Sequence, residues 1–234
     1  MDVIWNILLD AGVTEIDSIK QTFLLLMMLP IVSTLVGFSR HLLGLKTINT
    51  YAPLIIPFAI YEIGTEGVST KPDIENSIKL GVVLFLIVFI TTGAIYYWVL
   101  KPLRMHYIPK TTLIVTAVSI SVIASMIYGT LIDEYGLIYV NFFTLVMMII
   151  LCEGFFAVFA RKNFKYAFYI SLQTLIISIL SFLIISAKPL HELIFNYPIL
   201  VLIAIIGANM YIGTYKGLRL SEYWRFRSLI FRPR

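Results

Sequence analysis

Charge is what this chain has least of. Only 13% of its 234 residues are Asp, Glu, Lys or Arg, against 59% hydrophobic, whereas a soluble domain carries about 25% charged residues. That deficit excludes an ordinary water-soluble fold and places the chain in a bilayer. Cysteine is almost missing: Cys152 stands alone inside an apolar run, so no intrachain disulfide forms and no Cys/His metal spacing exists. Catalytic motifs are missing too. HELIF at 191–195 opens like a zinc-protease helix but lacks the second His. There is neither a G-x-S-x-G nucleophile elbow nor a phosphate-cradling Walker A loop, so no cofactor is expected in this chain. Segment 197–215 has no lysine to hold retinal, and the third apolar run ends in YYWVLKPLR without an acidic-Arg-aromatic triplet; these absences argue against a rhodopsin and a G-protein-coupled receptor. The start, MDVIWNILLDAG, has Asp2 and Asp10 but no basic segment, so it does not read as a signal peptide.

What is present is apolar run after apolar run. Seven segments lie at about 22–38, 49–64, 78–100, 112–130, 136–158, 167–186 and 197–215, and a span needs about 20 residues. The expected fold is all-α, a polytopic seven-helix bundle. The second segment is short and contains Pro53 and Pro57, which predicts a broken or re-entrant span. The expected organisation is a short extracytoplasmic segment over 1–21, a transmembrane domain over 22–215 and a basic amphipathic cytoplasmic tail over 216–234. Trp5, Ile7, Leu8 and Leu9 suggest a surface helix near the start. In the tail, Leu220, Trp224 and Phe231 share one helical face, with Arg219 and Arg227 off it, as an interfacial helix on anionic lipid would have.

The net charge of +5 reflects topology rather than nucleic-acid binding. Fourteen of the 18 Lys and Arg fall in the tail and in alternate connections, those at 40–46, 101–110 and 161–165. By the positive-inside rule that side is cytoplasmic and the N-terminus lies outside. The expected location is a cell membrane, plasma or inner, of a prokaryote.

Polar groups within this apolar background are the candidates for function. Glu153 is the acidic residue placed inside the hydrocarbon, where a carboxylate must be paired, protonated or wetted. It reads either as a structural hydrogen bond or as a proton-coupled polar site, with Arg40, Lys46 and Gln173 as candidate partners. Gln173 and Asn209 read as interhelical glue. Tyr96 to Trp98 read as an aromatic belt. Arg40, Lys46, Arg104, Lys110 and Arg161 could form a cationic entry ring, with Tyr51, Pro53 and Pro57 supplying non-helical backbone beside a polar path.

The stretch FSRHLLGLKTINTYAP resembles a bacterial family of seven-helix membrane domains usually fused to an inactive transglutaminase-like domain. The resemblance continues in LRMHYIPKTTLIVTAVS at 103–119, CEGFFAVFARKNFKYAFYISLQTLIISI at 152–179 and NYPILVLIAIIGANMYIGTYKGLRLSEYWRF at 196–226. Only about 20 residues precede the first span, so the resemblance implies that a transglutaminase-like part, where needed, comes from a separate chain outside. Parts of the chain also resemble the membrane C-subunit of poly-γ-glutamate synthases. Both resemblances imply a partner: a cytoplasmic ATP-dependent amide ligase, with ATP entering only through that partner. The expectation is therefore a membrane subunit of an amino-acid or peptide ligase system, anchoring the ligase and passing its acidic product outward. The alternatives are a stand-alone secondary transporter of a small solute and a non-transporting scaffold. A homo-oligomer is compatible with each.

Overall fold

A computed structural model describes residues 16–66, 74–103, 106–131, 142–215 and 217. Every regular element among them is a helix: α1 (Ile16–Phe38), α2 (Ala52–Glu66), α3 (Ile74–Ile95), α4 (Tyr107–Leu131), α5 (Phe142–Arg161), α6 (Phe164–Ile185), α7 (Lys188–Asn196) and α8 (Pro198–Thr214). Widened π-helical turns extend α1 over Ser39–Leu43 and α3 over Tyr96–Leu100. Helices are what lipid demands, because each backbone N–H and C=O is satisfied within its own segment. Five spans, on α1, α3, α4, α5 and α6, are long and apolar enough to cross a membrane. The shorter α2 is apolar over Ala52–Ile63, and α7 with α8 forms a bent pair. The surface helix expected near the start and the tail helix lie outside the described residues, as do Arg104 and Arg219.

The chain divides into two compact units, one of residues 1–45 with 184–234 and the other of residues 46–183. In the first, α1 packs against α7 and α8. Asn209 Nδ2 donates to Thr34 Oγ1 (2.8 Å), which donates onward to the Pro30 carbonyl (2.8 Å). That pair ties α8 to α1 where lipid offers no hydrophobic drive for association. α7 is amphipathic, starts with a proline in its first turn and meets α8 at a bend of 108°. The HELIF sequence sits here; His191 Nε2 donates to the Ile185 carbonyl (2.6 Å), and Phe195 packs against Phe23 of α1.

In the second unit, α2, α3 and α5 pack on one another and α4 packs on α3 and α5. Its core includes Ile56, Ile60, Val88, Leu151 and a run of aromatic rings. Phe155 meets Phe85 and Phe89 edge-on, at centroid distances of 5.4 and 5.1 Å, the geometry that ring quadrupoles favour. α2 is short, as expected, with 15 residues. Helical structure nonetheless continues through Pro57, and Pro53 stands in the first turn, where a missing N–H costs nothing. The non-helical backbone lies just ahead of α2, over residues 44–51.

Candidate functional site

That non-helical stretch is the organising feature of the second unit. The chain leaves the π-helical turn through Gly44, whose φ of 75° is left-handed and suits glycine. It then runs without regular structure beside α6, bending at Ile48, Thr50 and Tyr51. The Lys46 N–H donates to Gln173 Oε1 (3.0 Å) and the Ile48 N–H to Thr174 Oγ1 (3.1 Å). Thr174 in turn donates to the Ile170 carbonyl of its own helix (2.9 Å). Gln173 and Thr174 are the ninth and tenth residues past Phe164, so this contact lies about 14 Å into α6, near the helix midpoint. Non-helical backbone at such a depth is tolerated only against protein or a water-filled cavity, and two side chains of α6 take up two of its donors. On α5, Gly154 makes the room. A Cβ there would lie 2.6 Å from Ile48 Cγ2, so any larger residue forces Ile48 to shift. α2 therefore starts part-way along the bundle, with Ala52 and Pro53 buried and Tyr51 exposed.

Lys46 has its backbone at that depth and its charge elsewhere. Its Nζ lies 5.8 Å from the Tyr166 ring centre, and Lys162 Nζ lies 5.5 Å from the same ring. Lys101 Nζ sits 5.6 Å from the Tyr97 ring, and Tyr97 packs against Phe159 and Phe164. The rings form a collar where α3 ends, α5 ends and α6 begins, and the lysines lie over its faces as ring quadrupoles favour. Arg161 and Lys165 stand exposed beside it, and Lys110 is half-buried in the first turn of α4. Trp98 is 83% exposed, as a belt residue would be, whereas Tyr96 and Tyr97 pack into the collar.

A third feature is a groove of about 480 Å³ between α4 and α5, lined by Tyr107, Thr111, Thr112, Thr116, Cys152 and Glu153, with Val115 and Ile149 as its apolar wall. Glu153 is exposed into it. Neither Lys46 nor Gln173 partners it: the Gln173 carbonyl oxygen accepts from Lys46 N–H instead. Arg40 is half-buried in the π-helical turn of the first unit. Of the expected cationic ring, Lys46, Lys110 and Arg161 belong to the second unit and Arg40 to the first. Sequence reasoning missed Gly154, Thr174 and the threonine face of α4.

A family described as 7 transmembrane helices usually fused to an inactive transglutaminase matches residues 8–230. The chain belongs to this family. Its apolar helices are the membrane domain that the family's description names, so the chain is a multi-pass membrane protein of the transglutaminase-associated type. No curated protein and no solved structure matches it.

Proposed function

We propose that this membrane domain is the anchoring subunit of an amino-acid or peptide ligase system, of the kind that makes poly-γ-glutamate, and that its basic end docks a cytoplasmic ATP-dependent amide ligase. The observation that carries the reading is the aromatic collar of the second unit. Lys46, Lys101 and Lys162 are held over its rings, with Lys110, Arg161 and Lys165 at the same end. The other described cation of that unit, Lys79, pairs with Glu75 at the far end of α3 (2.7 Å). By the positive-inside rule the collar is cytoplasmic. Cations fixed on a rigid aromatic platform attract an acidic protein surface and an acidic product alike. The ligase identity rests on the sequence resemblance to poly-γ-glutamate synthase, and a transglutaminase-like chain takes the opposite, outer face. ATP belongs to the partner. The membrane is the plasma or inner membrane of a prokaryote.

The test is association between the full chain and the ligase in gentle detergent. Replacing Lys46, Lys101, Arg161 and Lys162 together by Ala lowers ligase recovery and product level, and raised salt mimics the loss. Unchanged association with unchanged product overturns the reading.

A second reading, a secondary transporter of a small solute, is favoured by the non-helical backbone at the level of Gln173 and Thr174. Interrupted helices at mid-depth are where transporters place their substrates. It predicts flux by the purified chain alone in liposomes, which the anchoring role does not require.

A further inference from the structure

The groove between α4 and α5 is built of hydrogen-bond acceptors. Thr111 Oγ1 donates to the Ile108 carbonyl (2.8 Å), Thr112 Oγ1 to the Pro109 carbonyl (2.9 Å) and Thr116 Oγ1 to the Thr112 carbonyl (2.9 Å). Each hydroxyl has one proton, and each proton is committed to the helix's own backbone. The oxygens keep their lone pairs. Glu153 adds a carboxylate that, among the described residues, makes no hydrogen bond or ion pair. Among the described residues, no lysine, arginine or histidine lines the groove.

The depth matters as much as the chemistry. α4 has 25 residues, about 37 Å, against a hydrocarbon core of about 30 Å. Its first turn, with Tyr107, therefore stands among the headgroups. Tyr107 packs on Phe156 of α5 (5.2 Å between ring centres), and Glu153 lies three residues before Phe156, about 4.5 Å deeper along the axis. A bare carboxylate is costly there, and the three threonine hydroxyls beside it cannot relieve it, because their protons are already used, which leaves the Tyr107 phenol as the uncharged O–H donor of the lining. Among its described lining residues the groove has no cation rich in donors. A primary ammonium offers three N–H groups. An anion is repelled, and a trimethylammonium has no N–H to give. The apolar wall of Val115, Ile149 and Cys152 suits a chain attached to the amine.

We propose that the α4/α5 groove binds the primary ammonium end of a bilayer amphiphile, with Glu153 as its counter-ion and the Thr111, Thr112 and Thr116 oxygens as neutral acceptors. The source is an aminophospholipid headgroup or another amine-bearing lipid; the chemistry is the same. The proposal does not depend on ligase docking.

The test uses the full chain in nanodiscs of phosphatidylglycerol mixed with either phosphatidylethanolamine or phosphatidylcholine, with retained lipid counted by native mass spectrometry. Phosphatidylethanolamine is retained over phosphatidylcholine. Glu153→Gln lowers that retention about tenfold, the ratio set by losing a charge-assisted hydrogen bond, and leaves phosphatidylglycerol unchanged. Glu153→Asp keeps most of it, and joint replacement of Thr111, Thr112 and Thr116 by Val lowers it less than Glu153→Gln does. Dodecylamine displaces the bound lipid and dodecyltrimethylammonium does not; this competition needs only the unaltered protein, so it decides the matter even where a variant fails to fold. Lipid carried from native membranes bears a primary amine, and its mass tells an aminophospholipid from another amine lipid. Equal retention of the two zwitterionic lipids overturns the proposal, as does displacement by both amphiphiles. A Glu153→Gln variant that changes the oligomer mass but not the bound lipid also overturns it, and assigns the carboxylate to a contact between copies.

Discussion

Replacing Gly154 by Ala is the sharpest probe of how the non-helical segment ahead of α2 is seated. The new Cβ would lie 2.6 Å from Ile48 Cγ2 and 3.8 Å from Asn49 Cβ, so Ile48 must retreat by most of an ångström. It has little freedom to do so. It is β-branched, with few χ1 wells, and its N–H is fixed on Thr174 Oγ1 at 3.1 Å. Overpacking of this sort costs about 1–3 kcal/mol. Against it stands the gain of Ala over Gly in a helix interior, about 1 kcal/mol. The net expectation for Gly154→Ala is a loss of about 1 kcal/mol, and for the bulkier Gly154→Val about 3 kcal/mol. For a chain of this size 1 kcal/mol moves Tm by about 2–4 °C, which thermal unfolding in detergent resolves. The decisive variant is the double one. Ile48→Ala removes the clashing methyl and with it the overpacking, so the double variant falls short of the summed single costs by about 2 kcal/mol. A Gly154→Ala chain with a raised Tm, and effects that simply add with Ile48→Ala, would refute the seating of residues 46–50 against α5.

Gln173→Leu leaves the Lys46 N–H without its acceptor near the middle of a span and lowers stability by about 1–3 kcal/mol, with Gln173→Glu milder, both read as Tm. Asn209→Leu and Thr34→Val each cost about 0.6 kcal/mol, up to about 1.7, and the double variant costs little more than either single, because both remove one hydrogen bond. For orientation, single cysteines at position 75 or 162 in a Cys152→Ser background are labelled by an impermeant maleimide. In right-side-out vesicles position 75 reacts at once and position 162 only after permeabilisation; the opposite pattern inverts the topology.

The spans were legible because a run of about 20 apolar residues is itself the signal. The segment that carries Arg40, Lys46, Pro53 and Pro57 was legible as special from those cations and prolines. Its seat was not, since its partners Gln173 and Thr174 lie 127 and 126 residues away. Gly154 looked like any small residue in a span; only the approach of Ile48 gives it a reason. Pro57 pointed to a broken helix, but the break falls ahead of α2, where side chains of α6 satisfy the freed donors. α7 fell between two predicted spans. Its signal was there, in Pro189 at the helix start with Leu190, Leu193 and Ile194 spaced as one face, though nine residues are too few to stand out beside the spans. The threonines of α4 were visible as polar residues, but Glu153 joins them only through the packing of α4 on α5.

The measurement that tests the anchoring role most directly is purification of the full chain from its native membrane in gentle detergent, with mass spectrometry of what stays bound. The expected result is a stoichiometric ATP-dependent amide ligase that is lost when Lys46, Lys101, Arg161 and Lys162 are replaced by Ala, while the altered chain stays folded. A folded chain that carries no ligase in either form, and moves a solute across liposomes by itself, would contradict it.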